Sequence, residues 1–263
     1  MLKFARPSLI DQMREMDEKT LAFLLVQCRG TGEEGENIEQ EINRLLAAYR
    51  KDGLIKEIME WATDKNYSRL EDYEPCEAEL LKLAGEHFGI RPREGETTVE
   101  FEKAIVDRWI REVFTKIAEK LREKPEENEK IIERISEVLE EIDRVNMKEL
   151  LQLSGVNAEN VDESELIEKF IETGEEGLLQ KGLLKMGTRG YRVIYRFFSI
   201  FSEKYIRTSG SISHILRDFV VASLGGIGIW ILWKLYRVKK DIKSKILANI
   251  LIPAVFMEGY VKM

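Results

Sequence analysis

The sequence TTVEFEKAIVDRWIREVFTKIAEKL, residues 97–121, is the longest helical pattern in this chain of 263 residues. Its first residues, Thr97 to Glu100, have the form of a capping box, in which a hydroxyl and a carboxylate each satisfy a free amide at a helix N-terminus. The apolar residues then recur every three or four positions, as on one face of an α-helix. They are Phe101, Ala104, Ile105, Trp109, Val113, Phe114, Ile117 and Leu121. The stretch therefore predicts a long amphipathic helix.

A second apolar stripe begins after Pro125, which cannot continue a hydrogen-bond ladder but is well suited to the first turn of a new helix. Residues 131–142 carry Ile, Val and Leu at helical spacing, so the two stripes predict a long antiparallel helical hairpin. The glutamates at 133–141 fall opposite the stripe and alternate with Lys and Arg. They are interpreted as a solvated face rather than a metal site.

Shorter patterns on both sides of this hairpin also predict helices. Ser8, Asp17, Asn37, Pro75 and Asp162 mark helix starts, and Gly30, Gly53, Gly89 and Gly155 mark helix ends. Residues 64–75 are predicted to form a loop. The chain holds five prolines and is 44% hydrophobic, with abundant Leu, Ile, Glu and Lys, which favour helix over sheet. We therefore expect an all-α fold, a multi-helix bundle.

The charge is distributed unevenly. The whole chain carries −7, but residues 181–263 hold fifteen Lys or Arg and four Asp or Glu. We predict an acidic helical domain over 1–180 and a basic, aromatic C-terminal helical region over 181–263. Such an asymmetry suits a membrane surface, a nucleic acid, or docking of one half of the chain on the other.

Basic and aromatic residues alternate along the segment from Arg189 to Arg207. Three interpretations stay open: a core helix whose arginines meet the acidic body, an interfacial membrane helix, and a nucleic-acid-binding helix. A whole-chain pI of about 5.3 disfavours the last.

Two apolar runs near the end of the chain predict a helical hairpin with a basic elbow. The first, FVVASLGGIGIWILW, covers residues 219–233 without a charge, and the second covers 246–257. Fifteen residues are fewer than the roughly twenty of a membrane-spanning helix, so the run predicts either a lipid-facing or a buried element. The predicted membrane or partner contacts are Arg192, Arg196, Phe197, Phe201, Ile227, Trp230, Trp233, Tyr236, Arg237, Lys239 and Lys240.

No pattern typical of catalysis, cofactor binding or metal binding occurs. Cys28 and Cys76 belong to no CxxC motif, and the two histidines, His87 and His214, do not predict a metal site. The first residues lack the apolar core of a secretory signal. We therefore expect a cytoplasmic protein with reduced cysteines that is not an enzyme.

The C-terminal pattern resembles the YaaW-like family of uncharacterised bacterial proteins. The similarity lies in Gly-Gly-Ile-Gly-Ile-Trp at 225–230 and Ile-Pro-Ala-Val-Phe at 252–256, with weaker similarity at 17–25 and 79–89 and a departure at 90–95. That family is grouped with the ubiquinol-cytochrome c chaperone domain, whose members are helical, membrane-associated assembly factors. The resemblance implies a helical protein without catalytic residues.

Two functions are predicted from these patterns. The first is a chaperone-like or assembly-factor-like interaction protein at the cytoplasmic membrane surface, whose partner is that surface or another protein. The second is a membrane-inserting effector, pore-like or toxin-like, whose apolar hairpin 219–257 is released from a soluble shell.

Overall fold

The structure is a computed structural model that describes residues 2–29, 36–123, 125–141, 144–158, 162–186, 189–201 and 239–259. Within these residues the fold is all-α, as predicted. The described backbone forms no β-strand, and Lys3 and Thr97 make one isolated bridge.

The helices follow one another closely along the chain. They are α1 (Leu9–Glu15), α2 (Glu18–Arg29), α3 (Glu36–Ala48), α4 (Lys51–Thr63), a 3₁₀ helix (Leu70–Cys76), α5 (Glu77–His87), α6 (Thr98–Arg122), α7 (Pro125–Glu141), α8 (Arg144–Leu153), α9 (Glu163–Glu175) and α10 (Gln180–Met186). Two further stretches are helical, α11 (189–201) and α12 (239–258), the latter with a π-helical turn over Leu247–Leu251.

Several predicted helix starts are confirmed by their caps. Ser8 and Asp11 form a capping box at α1, and Thr97 and Glu100 form one at α6. The Asp162 carboxylate accepts the Glu165 amide at 2.9 Å at the start of α9. The short polar side chains at these positions satisfy amides that the first helical turn leaves free.

Two predicted boundaries are wrong. Gly53 does not end α3, which stops at Ala48, but lies in the first turn of α4. Residues 64–75 are not entirely loop, because the 3₁₀ helix holds Pro75 and α5 begins after it, at Glu77. Pro75 is tolerated just before α5 because a proline suits the start of a helix, and Gly53 weakens a helix only modestly, so it does not have to end one.

The long helix α6 lies at the centre of the core. Trp109, Phe114 and Ile117 are fully buried on it. The helix contacts α5, α7, α9 and the end of α12. Phe114 packs edge-on against Phe170 of α9, with 5.3 Å between ring centroids.

The second predicted apolar run, residues 246–257, forms most of α12 and is buried in this same core. Its last part, Ile252–Glu258, contacts α1 and α6, and its π-helical turn contacts α2, α5 and α6. A helix that is apolar on all sides is expected in such a fully enclosed position.

Pro253 accounts for the π-helical turn. A proline clashes with the carbonyl four residues before it and donates no amide hydrogen. Here the Ile252 amide reaches back five residues to the Leu247 carbonyl, which widens the turn. The Asn249 side-chain amide donates to the Lys245 carbonyl at 2.9 Å. The helix therefore passes Pro253 without breaking.

The change of charge near residue 180 does not interrupt the described core. Tyr191, Ile194 and Phe197 of α11 and the buried residues of α12 belong to one continuous cluster with α1, α2, α5 and α6. Helices from both predicted regions therefore share a single hydrophobic core.

Candidate functional site

The alternating segment at 189–201 separates its aromatic and basic residues onto different faces. Tyr191 packs on Trp109 of α6, with 6.0 Å between ring centroids, and Tyr195 packs on Phe23 of α2 at 5.8 Å. Arg192 and Arg196 are exposed. The aromatic residues of α11 thus serve the core, and its arginines form an outer face.

Phe197, one of the predicted contacts, does not face outward. Its ring is fully buried and lies against Phe114 of α6, with 6.0 Å between ring centroids. Phe201 is half-buried. The prediction of Phe197 as a membrane or partner contact is corrected, because Tyr191, Phe197 and Phe198 share a buried helical face with Ile194 and pack against α6.

Five of the predicted contacts lie outside the described residues. They are Ile227, Trp230, Trp233, Tyr236 and Arg237, together with the whole apolar run 219–233. Among the described residues, no helix is both long and apolar enough to cross a lipid bilayer.

Lys239 and Lys240, the last two predicted contacts, are exposed at the beginning of the described part of α12. Lys239 pairs with Asp64 at 3.2 Å and Lys240 with Glu86 at 3.0 Å. Asp64 ends α4 with a left-handed backbone conformation, at φ 55°. These ion pairs join α12 to the ends of α4 and α5.

A cleft of about 280 Å³ lies between α4, α5 and α12, and four lysines contribute to its lining. We refer to it as the lysine cleft. Its lining consists of Ala62, Thr63, Asp64, Lys65, Cys76, Glu79, Leu80, Leu83, Lys239, Lys240 and Lys243. The cleft therefore combines ammonium groups with an apolar surface.

Lys243 is the most enclosed of the four lysines, with 9% of its surface exposed. Its ammonium group donates to the second Asp64 oxygen at 2.6 Å and lies 5.6 Å from the ring centroid of Trp61. Partial burial would raise the pKa of Asp64, but Lys243 and Lys239 together lower it below its ordinary value. Lys243 is thus a fixed positive charge of the cleft.

Lys65 lies on the other side of the lysine cleft. Its ammonium group is 3.3 Å from the Cys76 sulfur and 6.0 Å from the Tyr67 ring centroid. Among the described residues it makes no ion pair with a carboxylate. Its positive charge is therefore available to a ligand of the cleft.

A cluster of polar side chains, Gln12, Glu77 and Glu102, is buried where α1, α5 and α6 meet, and the sequence patterns did not predict it. The Leu9 amide donates to Glu77 at 3.2 Å, and the Gln12 side chain donates to Glu102 at 2.8 Å. The other carboxylate oxygens of Glu77 and Glu102 accept no hydrogen bond from the described residues. Glu102 lies four residues before Val106 and seven before Trp109. This helical spacing places it on the buried face of α6, and it was the signal in the sequence for a buried carboxyl group.

Burial sets the protonation of both carboxyl groups. It raises the pKa of Glu77 to about 7. It raises the pKa of Glu102 well above the ordinary value, and the neighbouring Glu77 charge adds to the effect. Removal from water disfavours the ionised form.

Metal ligation has no support among the described residues, which contain no group of three or more His, Cys, Asp or Glu able to hold an ion. His87 is half-buried, and this burial lowers its pKa. Its ring lies against that of Phe88, with 4.8 Å between centroids.

No family model matches the chain, and no curated protein or solved structure was found to be similar to it. The resemblance to the YaaW-like family therefore stays a prediction.

Proposed function

We propose that this chain is a non-catalytic helical interaction protein, of the chaperone or assembly-factor type, that associates with the cytoplasmic membrane surface through its C-terminal region. The observation that carries the proposal is the position of Lys239 and Lys240. They are exposed at the beginning of the described part of α12 and follow the apolar run 219–233 closely in sequence. An apolar segment beside cations suits an anionic lipid surface.

The burial of the second apolar run limits which part of the C-terminal region can contact lipid. Eight large apolar side chains at 246–257 lie in the core. Since each contributes roughly 1.5–3 kcal/mol on burial, their loss would match or exceed the net stability of about 5–15 kcal/mol typical of a domain. This favours contact through residues 219–233 alone, with residues 246–257 as the anchor in the body.

The same comparison bears on the alternative, a membrane-inserting effector that releases the hairpin 219–257. Release of both arms would remove α12 from α1, α2, α5 and α6 and so would require the body to unfold. A peripheral protein needs no such step. Leakage of a dye from vesicles separates the two functions, because peripheral binding leaves the contents enclosed.

The proposal is tested by flotation of the full chain with vesicles of phosphatidylglycerol mixed with phosphatidylcholine. We expect the wild-type protein to float without dye leakage. The double variant Trp230→Glu/Trp233→Glu places two charges in the apolar run, and we expect it to stay in the dense fraction.

A matched control changes two exposed apolar residues elsewhere, Phe4→Glu and Leu178→Glu, which are 48% and 47% exposed. This control is expected to float like the wild type. Equal flotation of the tryptophan variant and the wild type would contradict the proposed function.

A further inference from the structure

We propose that the lysine cleft is a binding site for the phosphate group of a phosphate ester, which can belong to a phospholipid headgroup or to a soluble ester. The lipid source rests on the proposed function, whereas the phosphate site itself rests on the cleft.

The first argument is an excess of positive charge. Four lysines line the cleft, against two lining carboxylates, Asp64 and Glu79, and one of the four, Lys240, also pairs with Glu86 at 3.0 Å. Lys239 and Lys243 share the single charge of Asp64, at 3.2 and 2.6 Å. Lys65 has no carboxylate partner among the described residues. The cleft therefore retains unneutralised positive charge, which favours an anion.

The second argument is the division between fixed and movable cations. Lys243 is held by Asp64 and by the Trp61 ring, so its position is set before a ligand arrives. Lys239 is exposed at 55% of its side-chain surface, and Lys65 is also exposed. Their long side chains can turn toward a bound group. Lysine binds phosphate as a point charge with three donors, so such adjustment suits this ligand.

The third argument is the apolar part of the lining. Ala62, Leu80 and Leu83 contribute to the cleft together with the ammonium groups. An inorganic anion would use the lysines alone, but the carbon skeleton of an ester would also contact these side chains. The volume of about 280 Å³ suits a group of headgroup size.

The fourth argument is the location of the cleft. Lys239 and Lys240 both line it and directly follow residues 202–238, which contain the apolar run. A protein that meets lipid through that run would hold the cleft beside the layer of headgroups. The phosphate of phosphatidylglycerol would then be within reach of the same lysines.

The test compares the full chain with the variant Lys65→Gln/Lys239→Gln, which removes two exposed charges and keeps the enclosed Lys243. The control, Lys19→Gln/Lys130→Gln, removes two exposed charges that lie outside the cleft. Circular dichroism checks that all three proteins are folded. One arm titrates glycerol 1-phosphate by calorimetry. The other arm measures binding to phosphatidylglycerol vesicles, with phosphatidylcholine vesicles as the uncharged comparison.

We expect the cleft variant to bind about tenfold more weakly or worse, and the control to bind within about twofold of the wild type. A loss in the glycerol 1-phosphate arm alone assigns the site to a soluble ester, and a loss in both arms shows that it accepts the phosphate group from either source. A loss in the vesicle arm alone assigns it to a lipid headgroup. Equal binding by the cleft variant and the control in both arms would overturn the phosphate site, as would a wild type that binds neither probe.

The two proposals fail separately. If Trp230→Glu/Trp233→Glu abolishes flotation but the cleft variant binds like the control, the phosphate site is wrong and the membrane proposal stands. If glycerol 1-phosphate binds in a lysine-dependent way but the tryptophan variant still floats, the phosphate site stands and the apolar run is not the membrane contact.

Discussion

At the scale of single residues, the chain places ionisable groups in two contrasting environments. Asp64 is partly exposed and paired with two lysines, so it is held as a carboxylate. Glu77 and Glu102 are buried without a cationic partner in the described residues and are held toward the neutral acid. The first arrangement joins helices by charge and favours the folded state above the ordinary pKa of Asp64, whereas the second lowers stability as the pH rises.

The pKa of Glu77 predicts the sign of that dependence. Its value rises from 4.5 to about 7 on folding because the group is buried, with Glu74 and Asp11 adding repulsion. Folding therefore favours the protonated form, and its contribution to stability is present below about 4.5 and is lost as the pH rises toward about 7.

We predict that Glu77→Gln removes this loss. Urea unfolding measured from pH 4.5 to pH 8 is expected to show the wild type losing up to roughly 3 kcal/mol relative to the variant as the pH rises. A difference between the two proteins that is already present at pH 4.5 reflects the altered hydrogen bond to Leu9. If that difference stays constant up to pH 8, the raised pKa of Glu77 is contradicted.

At the scale of helices, close packing of α9 on α6 depends on a glycine. A Cβ atom added at Gly174 would lie 2.2 Å from the Cγ atom of Phe114. That ring is fully buried and packs against the rings of Phe170 and Phe197. The two helices can approach this closely only because residue 174 has no side chain.

We predict that Gly174→Ala lowers the free energy of unfolding by about 1–3 kcal/mol, the usual cost of overpacking a core. Gly53→Ala is the matched control, since its added Cβ would lie 3.2 Å from a Tyr49 side-chain atom that is only partly buried. Alanine favours the helix there, so the control is expected to be neutral or slightly stabilising. Equal destabilisation of both variants in urea would contradict the close contact at Gly174.

Some features of the helices could be predicted from the sequence, and others could not. The caps at Ser8, Thr97 and Asp162 and the stripe of α6 were predictable because they depend on neighbouring residues alone. The role of α12 was not, since a run that is apolar on all sides fits a core as well as a lipid contact. In α11 only Phe197 and Phe201 of the aromatic residues are predicted contacts, and the spacing of Tyr191, Ile194 and Phe198 fits the interpretation as a core helix that the sequence also allows.

The candidate site was predictable only in part, for a related reason. Lys239 and Lys240 stood out as a basic cluster after an apolar run. Asp64, Lys65 and Cys76 carried no such signal, because they reach the lysine cleft from distant parts of the chain. Contacts of this kind depend on how helices pack, which local patterns do not determine.

At the scale of the whole molecule, charge and packing divide the chain differently. Residues 181–263 are basic and the preceding residues are acidic. Yet α11 and α12 share a core with α1, α2, α5 and α6. An acidic body joined to basic terminal helices gives the molecule a charge asymmetry suited to orienting it at an anionic surface. Because the two regions share a core, we predict that they unfold as one cooperative unit.

We predict that a change near the end of α12 destabilises the entire described fold. Phe256 is buried where the end of α12 meets α1 and α6. Phe256→Ala is expected to lower the free energy of unfolding by about 3–5 kcal/mol, and the transition should remain single. Leu178→Ala, at a residue that is 47% exposed, is the control and should have little effect.

Urea unfolding followed by far-ultraviolet circular dichroism and by tryptophan fluorescence provides the measurement. Coincident transitions that shift together in the Phe256→Ala variant indicate one unit, because both signals then report the same loss of packing. Two separate transitions, with one unchanged by Phe256→Ala, would instead support independent domains over 1–180 and 181–263. The membrane proposal favours the first result, since a body that holds α12 firmly can present residues 219–233 to lipid without itself unfolding.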